Sequence, residues 1–164
     1  MPSRPGALIA AITLALLTSP SLAQADGPQT DLVLSGAVSA ELTSSNANAC
    51  YVDTDNVFNG QLADPSTAFI ISMDVLGTVG EHPAVASDGH VQLTMFSIDD
   101  TQGDPFINWT ATGGSVTLDS IDSQVALDDG SASTHGALGH IDADLTSRSG
   151  SLHISGPFAC HLAG

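Results

Sequence analysis

Gly139-His140-Ile141-Asp142-Ala143-Asp144-Leu145-Thr146-Ser147-Arg148-Ser149-Gly150-Ser151-Leu152-His153-Ile154-Ser155-Gly156-Pro157-Phe158-Ala159-Cys160 is the stretch that decides the fold. In its first half Gly139, Ile141, Ala143 and Leu145 alternate with His140, Asp142 and Asp144; in its second half Leu152, Ile154, Gly156, Phe158 and Cys160 alternate with Ser151, His153, Ser155 and Pro157. A period of two places one set of side chains on a buried face and the other in water, which is the mark of a half-buried β-strand. Ser149-Gly150 stands between the halves as a turn dipeptide, so the stretch reads as a β-hairpin.

Working outward, the same period recurs. Leu32, Leu34, Gly36, Val38, Ala40 and Leu42 fall on even positions of an opening strand. Phe69, Ile71, Met73 and Val75 mark another, as do Val91, Leu93 and Met95, and then Ile107, Trp109 and Ala111. Val116 and Leu118 begin a further strand, and Val125 with Leu127 suggests a short partner. Asp88-Gly89, Gly113-Gly114 and Asp129-Gly130 fall between these runs and read as hairpin turns. No segment after residue 25 keeps apolar residues at helical spacing over three turns, and Ser, Thr, Asp and Gly are frequent, so helix is expected to be scarce. About eight short strands joined by tight turns predict an all-β fold, an antiparallel β-sandwich of immunoglobulin-like or related type, with a small barrel as the other way to close it. The polar stretches Thr43 to Thr67 and Thr78 to Asp88 are expected to be loops. No repeat and no linker divides the chain, so residues 26–164 read as one domain.

The N-terminus has a different character. Arg4 precedes an apolar run from Ala7 to Leu17, and Ser21-Leu22-Ala23-Gln24-Ala25 precedes an abrupt change to polar, acidic sequence. That is the layout of a cleavable export signal, expected over residues 1–25. The run holds 11 residues, where a spanning helix needs about 20, so no membrane insertion is expected once the signal is cut. Cleavage after Ala23 or Ala25 would leave a secreted or periplasmic chain of 141 or 139 residues.

Charge narrows the partners. All 18 carboxylates lie at or beyond Asp26 and the one cation beyond the signal is Arg148, a formal charge of −17 with no lysine anywhere. A phosphate backbone and an anionic membrane are both bound through Lys and Arg, so nucleic acid is not an expected partner. The expected partner is an extracellular ligand or protein. Screening of self-repulsion by added NaCl should raise the melting temperature.

Cys50 and Cys160 are the only cysteines, and an oxidising compartment leaves them one intramolecular pairing. A disulfide between them would close a loop of 110 positions and, with no Cys-x-x-Cys, redox or metal use is disfavoured. Chain entropy assigns such a loop about 4 to 5 kcal/mol as an upper figure. Cys160 is in phase with Ile154 and Phe158, which puts it on the inward face.

Other candidate residues are weaker signals. Asp53-Thr54-Asp55-Asn56 and Asp99-Asp100-Thr101-Gln102-Gly103-Asp104 gather oxygen ligands of the kind Ca²⁺ takes, but neither has EF-hand spacing, and Asp caps turns in any case. No cofactor is therefore expected, calcium being the one to test. His82, His90, His135, His140, His153 and His161 match no zinc spacing, although His140 and His153 could be cross-strand neighbours near Asp142. No Gly-x-Ser-x-Gly, His-Glu-x-x-His or phosphate loop is present, and no catalytic residue is assigned. Trp109 is the one tryptophan and reads as core, where sugar-cleaving sites present aromatics to substrate. Asn108-Trp109-Thr110 fits a glycosylation sequon but falls within an expected strand.

Leu34-Ser35-Gly36-Ala37-Val38, the early Cys50, Gly114-Ser115-Val116-Thr117-Leu118, Gly139 to Leu145 and Ile154 to Cys160 together resemble a group of small bacterial exported β-sandwich proteins that includes mycobacterial lipoprotein antigens. The resemblance implies a surface antigen of that shape and the same Cys50 to Cys160 bridge. No cysteine stands at the cleavage region, so lipid attachment does not carry over. Leu34-Ser35-Gly36-Ala37-Val38 shortly before Cys50 also resembles a chaperone-usher pilin, whose second cysteine comes a few dozen residues later instead of at the end. The expectation is an acidic, non-catalytic extracellular binding or structural module; the alternatives are a small secreted hydrolase using Asp99, Asp100 or Asp104, and a pilus-like subunit.

Overall fold

A computed structural model of the chain describes residues 29–43, 49–64, 69–98, 106–122, 125–126, 132–133 and 135–162. The expected signal, the loop Asp99 to Asp104 and the turn Asp129-Gly130 lie outside the described residues. Within them every regular element is a strand: β1 (Leu32–Gly36), β2 (Ala40–Leu42), β3 (Ala49–Val52), β4 (Val57–Asp64), β5 (Phe69–Leu76), β6 (Gly80–Pro83), β7 (Leu93–Ile98), β8 (Phe106–Ile121), β9 (Val125–Ala126), β10 (Ala132–Ser133), β11 (Gly136–Ser147) and β12 (Gly150–Leu162). The all-β antiparallel class is as the alternation predicts.

The decisive stretch folds as the hairpin its period predicts. β11 and β12 pair over their whole length, from Gly136 opposite His161 to Ser147 opposite Gly150. Ile141, Ala143, Leu145, Leu152, Ile154, Phe158 and Cys160 are buried, while His140, Asp142 and Asp144 point outward. β8 joins the other edge of β11, so three long strands form one wall.

From that wall the hydrogen bonding runs β8, β7, β5, β4, β3 and back to β12, so seven strands close a ring. The walls that a sandwich would keep as separate sheets are here joined into one continuous sheet. Its seam is short. β3 meets β12 in parallel at only two pairs, His161 with Ala49 and Leu162 with Cys50. Beside the seam, β1 lies along the same edge of β12, and β2 pairs with the far edge of β1. Between β1 and β3 the edge of β12 is covered by Asp31, whose N–H donates to the Pro157 carbonyl at 2.9 Å, and by Thr30. The buried Thr30 hydroxyl donates to the Ala159 carbonyl at 3.0 Å and accepts the Ala159 N–H at 3.1 Å, taking the place of a strand partner.

The interior is filled from all sides of the ring. Trp109 on β8, Phe58 on β4 and Phe158 on β12 are its largest fully buried side chains, and the two Phe rings lie 6.5 Å apart across the interior. The Trp109 indole N–H donates to the buried Ser97 hydroxyl at 3.0 Å, which satisfies the one polar atom this ring brings inside.

Four expectations are corrected. Leu32 to Leu42 is a hairpin, not one strand: Gly36 turns the chain at φ 115, and Leu32 then faces Leu42 and Leu34 faces Ala40. Gly113-Gly114 is no hairpin turn but the interior of β8, where the ladder with β11 skips a residue and Gly114 holds φ 93. A β-bulge of this kind lets the long strand bend without leaving its partner. The stretch from Thr43 to Thr67 contains β3 and β4, and Thr78 to Asp88 contains β6, so neither is purely loop. Asp88-Gly89 is a turn as expected, with the Asp88 carboxylate accepting the His90 N–H at 2.9 Å.

Candidate functional site

The bridge expected from the cysteine count is present. Cys50 on β3 and Cys160 on β12 are disulfide-bonded with Cα atoms 5.9 Å apart, and both are buried. The bond sits at the seam of the ring, where backbone pairing is thinnest.

Asp53 and its neighbours form the β3–β4 turn. One Asp53 oxygen accepts the N–H of Asp55 and of Val57, each at 2.9 Å, and the other lies 3.4 Å from the Asn59 amide nitrogen, which donates to it. Asn56 adopts φ 60, a left-handed conformation that Asn tolerates well. The bonds from Val57 foremost, then from Asp55 and Asn59, stabilise the charged form and hold the Asp53 carboxyl below its ordinary value, against a smaller opposing effect of desolvation. This carboxylate is used by its own turn. Asp99, Asp100 and Asp104 lie outside the described residues.

The histidines divide among local partners. On the outward face of β8, β11 and β12, His140 pairs with Asp119 at 2.6 Å, and His153 lies between Asp144, 3.0 Å from Nδ1, and Asp142, 3.7 Å from Nε2. His140 is not a cross-strand neighbour of His153: its partner on β12 is Pro157, whereas His153 faces Asp144. His135 pairs with Asp122, His82 donates from its ring to the Thr78 carbonyl at 2.7 Å, and the His161 ring contacts the His135 carbonyl at 3.1 Å. Ser35 stands opposite His153 across β1 and β12. His153 thus has a carboxylate toward each ring nitrogen, Asp144 from the position opposite it on β11 and Asp142 from two residues earlier on that strand. Among the described residues no three His, Cys, Asp or Glu side chains converge as a metal site.

The other side of the ring has a different chemistry. The outward positions of β4, β5, β7 and the first half of β8 align in cross-strand rows, one of which runs Ala63, Ile70, Phe96 and Asn108. Ile70 is 39% exposed and Phe96 40%, and Phe106, two residues before Asn108, is 62% exposed. The next row, Gln61, Ser72, Thr94 and Thr110, is polar and uncharged. Tyr51 and Leu76 add further exposed apolar surface beyond it. Among the described side chains, Asp74 is the one charged group that this wall turns outward. By contrast, the wall of β8, β11 and β12 with its flanking strands turns out Glu41, Glu81, Asp119, Asp142 and Asp144.

Alternation alone marks Ile70, Phe96 and Phe106 as the odd members of their strands, apolar residues at positions where solvent is due. Sequence reasoning missed them because it followed the buried set, Phe69, Ile71, Met73, Val75, Leu93 and Met95, and left their neighbours unweighed. The chain matches no protein-family model, no curated protein and no solved structure.

Proposed function

We propose that the protein is an exported, non-catalytic binding module whose contact face is the β4–β5–β7–β8 wall. The observation that carries this is the exposure of three large apolar side chains on one wall, Ile70 and Phe96 paired across β5 and β7 with Phe106 on β8, where Asp74 is the one described carboxylate turned outward, while the wall of β8, β11 and β12 with its flanking strands turns out five. Contiguous apolar surface rimmed by polar residues is a recurrent feature of interaction sites, and a rigid sheet presents it without an ordering cost on binding. The apolar run at residues 7–17 and the Cys50–Cys160 bond support export to an oxidising compartment. No helix among the described residues is long and apolar enough to cross a membrane. The closed ring favours a complete module over a pilus-like subunit, which needs a gap for a donated strand.

Photocrosslinking tests the reading. A photoreactive residue in place of Phe96, and another in place of Val33 on the opposite face, are exposed to surface extracts of the producing cells. The expected result is one discrete adduct from position 96 and none from position 33, competed by the native protein and not by an I70S/F96S variant. Equal labelling at both positions overturns the reading. So does turnover of hydrolase substrates that is lost in Asp99→Asn, Asp100→Asn or Asp104→Asn with the fold intact.

A further inference from the structure

We propose that Asn108 is the acceptor of an N-linked glycan whose first sugar rests on the ring of Phe106. The inference goes beyond the binding-module reading, which gives the wall a partner but no modification. Two independent features carry it.

The first is the way β8 displays the sequon. A glycan acceptor is an Asn two positions before Ser or Thr, with any residue except Pro between them, and Asn108-Trp109-Thr110 meets that rule. A strand turns successive side chains to opposite faces, so the acceptor and its hydroxyl residue share one face. Trp109 is buried with its indole N–H on the Ser97 hydroxyl, while Asn108 is exposed and Thr110 half-buried on the outward face. β7 runs along this part of β8, with Phe96 opposite Asn108, but the β11 ladder begins only at Thr110, opposite Thr146. Among the described residues, Phe106 to Trp109 therefore have a strand on one side alone. Arg148 also approaches, but its guanidinium donates to the Phe106 carbonyl at 3.2 Å, a backbone group.

The second is Phe106 itself. It precedes Asn108 by two residues, on the same face and about 6.6 Å away along the strand. It is 62% exposed, the most exposed aromatic side chain among those described. Its register partner is Ile98, so it stands outside the row of Ile70 and Phe96. A pyranose presents C–H groups on its faces, and the electron-rich face of an aromatic ring attracts such hydrogens. A sugar on Asn108 that leans toward the start of β8 covers Phe106 and leaves Ile70 and Phe96 to the partner.

The transfer balances without an oxidant or reductant. Asn108 Nδ2 bonds to the anomeric carbon of an oligosaccharide carried on a lipid pyrophosphate. The bond from that carbon to the phosphate oxygen breaks, its electron pair leaves with the lipid pyrophosphate, and Nδ2 gives one proton to a base of the transferase. Such glycans belong to exported chains, the setting that the apolar run at residues 7–17 and the Cys50 to Cys160 bond support.

Mass spectrometry of the exported protein, purified from its producing cells, tests the site. Peptides containing Asn108 are expected to carry a saccharide that peptide N-glycosidase removes, converting Asn108 to Asp. Thr110→Ala should abolish the modification and Thr110→Ser should retain it. The place of the sugar is read from the melting temperature, against the same chain made in a host without the transferase. The glycan is expected to raise it by about 2–4 °C in the wild type and in V33S, and to leave it unchanged in F106S.

Unmodified Asn108 throughout the exported protein overturns the proposal, as does a sugar that persists in Thr110→Ala. An equal gain in F106S overturns the contact with Phe106. A discrete adduct from position 96 with Asn108 unmodified overturns the glycan alone and leaves the binding module standing. A glycan on Asn108 with equal labelling at positions 96 and 33 does the reverse.

Discussion

Asp53 concentrates three donors on one carboxylate, two of them backbone N–H groups of its own turn, and its acidity records the arrangement. A carboxyl depressed in the folded state contributes stability above its unfolded value, about 3.9, and that contribution disappears as pH falls through the lower folded value. Asp53→Asn keeps an acceptor and removes the charge. The wild type is therefore expected to exceed the variant in melting temperature at neutral pH, with the margin closing only in strong acid. Amide shifts of Asp55 and Val57 followed by pH titration should report a midpoint below that of an ordinary carboxylate; a midpoint at or above it would show that the turn does not hold the charged form. Thr30 makes the opposite use of a small side chain, since it is buried and supplies both a donor and an acceptor to Ala159. Thr30→Val keeps the shape and removes both hydrogen bonds to the Ala159 backbone. The expected cost is about 1–3 kcal/mol in all, read by urea unfolding. A variant as stable as the wild type would mean that water reaches this edge and that the hydroxyl does not close it.

At the scale of elements, β8 shifts register against β11 at two places, one of them beside Gly113-Gly114. Gly114 holds φ 93, and a Cβ added there would stand 2.5 Å from the Ala143 Cα and closer still to the Asp142 carbonyl oxygen. Gly114→Ala combines a disfavoured backbone conformation with an overlap against β11, and a loss of about 3 kcal/mol or more is expected. Denaturant unfolding measures it, and a loss below about 1 kcal/mol would mean that the β8–β11 ladder re-registers at little cost.

The same bulge marks the limit of what alternation reveals. A Gly-Gly pair between two alternating runs reads as a turn because the buried set changes phase across it, from odd-numbered Ile107, Trp109 and Ala111 to even-numbered Val116 and Leu118, and a bulge makes that same change by skipping one residue. Leu32 to Leu42 fails in the converse way, since the hairpin that opens at Gly36 returns Ala40 and Leu42 to the inward face and the even-numbered pattern survives the reversal. β11 and β12 were legible because the alternation runs long enough in each, through Ile141, Ala143 and Leu145 and through Leu152, Ile154, Phe158 and Cys160, to survive a glycine at Gly139 and at Gly156. β4 was not, because Gly60 takes one of the inward positions between Phe58 and Leu62, and β6 was not, because Gly80-Glu81-His82-Pro83 contains no aliphatic residue and is held by its ladder to β8 alone. The contact wall escaped for another reason. Ile70 and Phe96 lie far apart in the chain, and only the β5–β7 register makes them neighbours.

For the whole molecule, the weak point of the ring and its covalent bond coincide. Twelve residue pairs join β11 to β12 and eight join β4 to β5, but two parallel pairs join β3 to β12. Opening the ring there costs the least hydrogen bonding of any break around it. It would also cut the short path through β3 that connects β4 to β12, the strands that carry Phe58 and Phe158, whose rings lie 6.5 Å apart. The Cys50–Cys160 bond spans this break. Loop-closure entropy gives a bond between positions so distant an upper value of about 4 to 5 kcal/mol, and the placement adds a local consequence that entropy alone does not predict. In the C50S/C160S variant the loss of protection should be uneven. Amide hydrogen exchange is expected to accelerate first at residues 49–52 and 158–162, while the β8–β11 ladder and the β11–β12 pairs near the Ser149-Gly150 turn stay protected until global unfolding. If the bond acted only on the unfolded chain, exchange would rise by one common factor throughout and the seam would behave no differently from the hairpin opposite it.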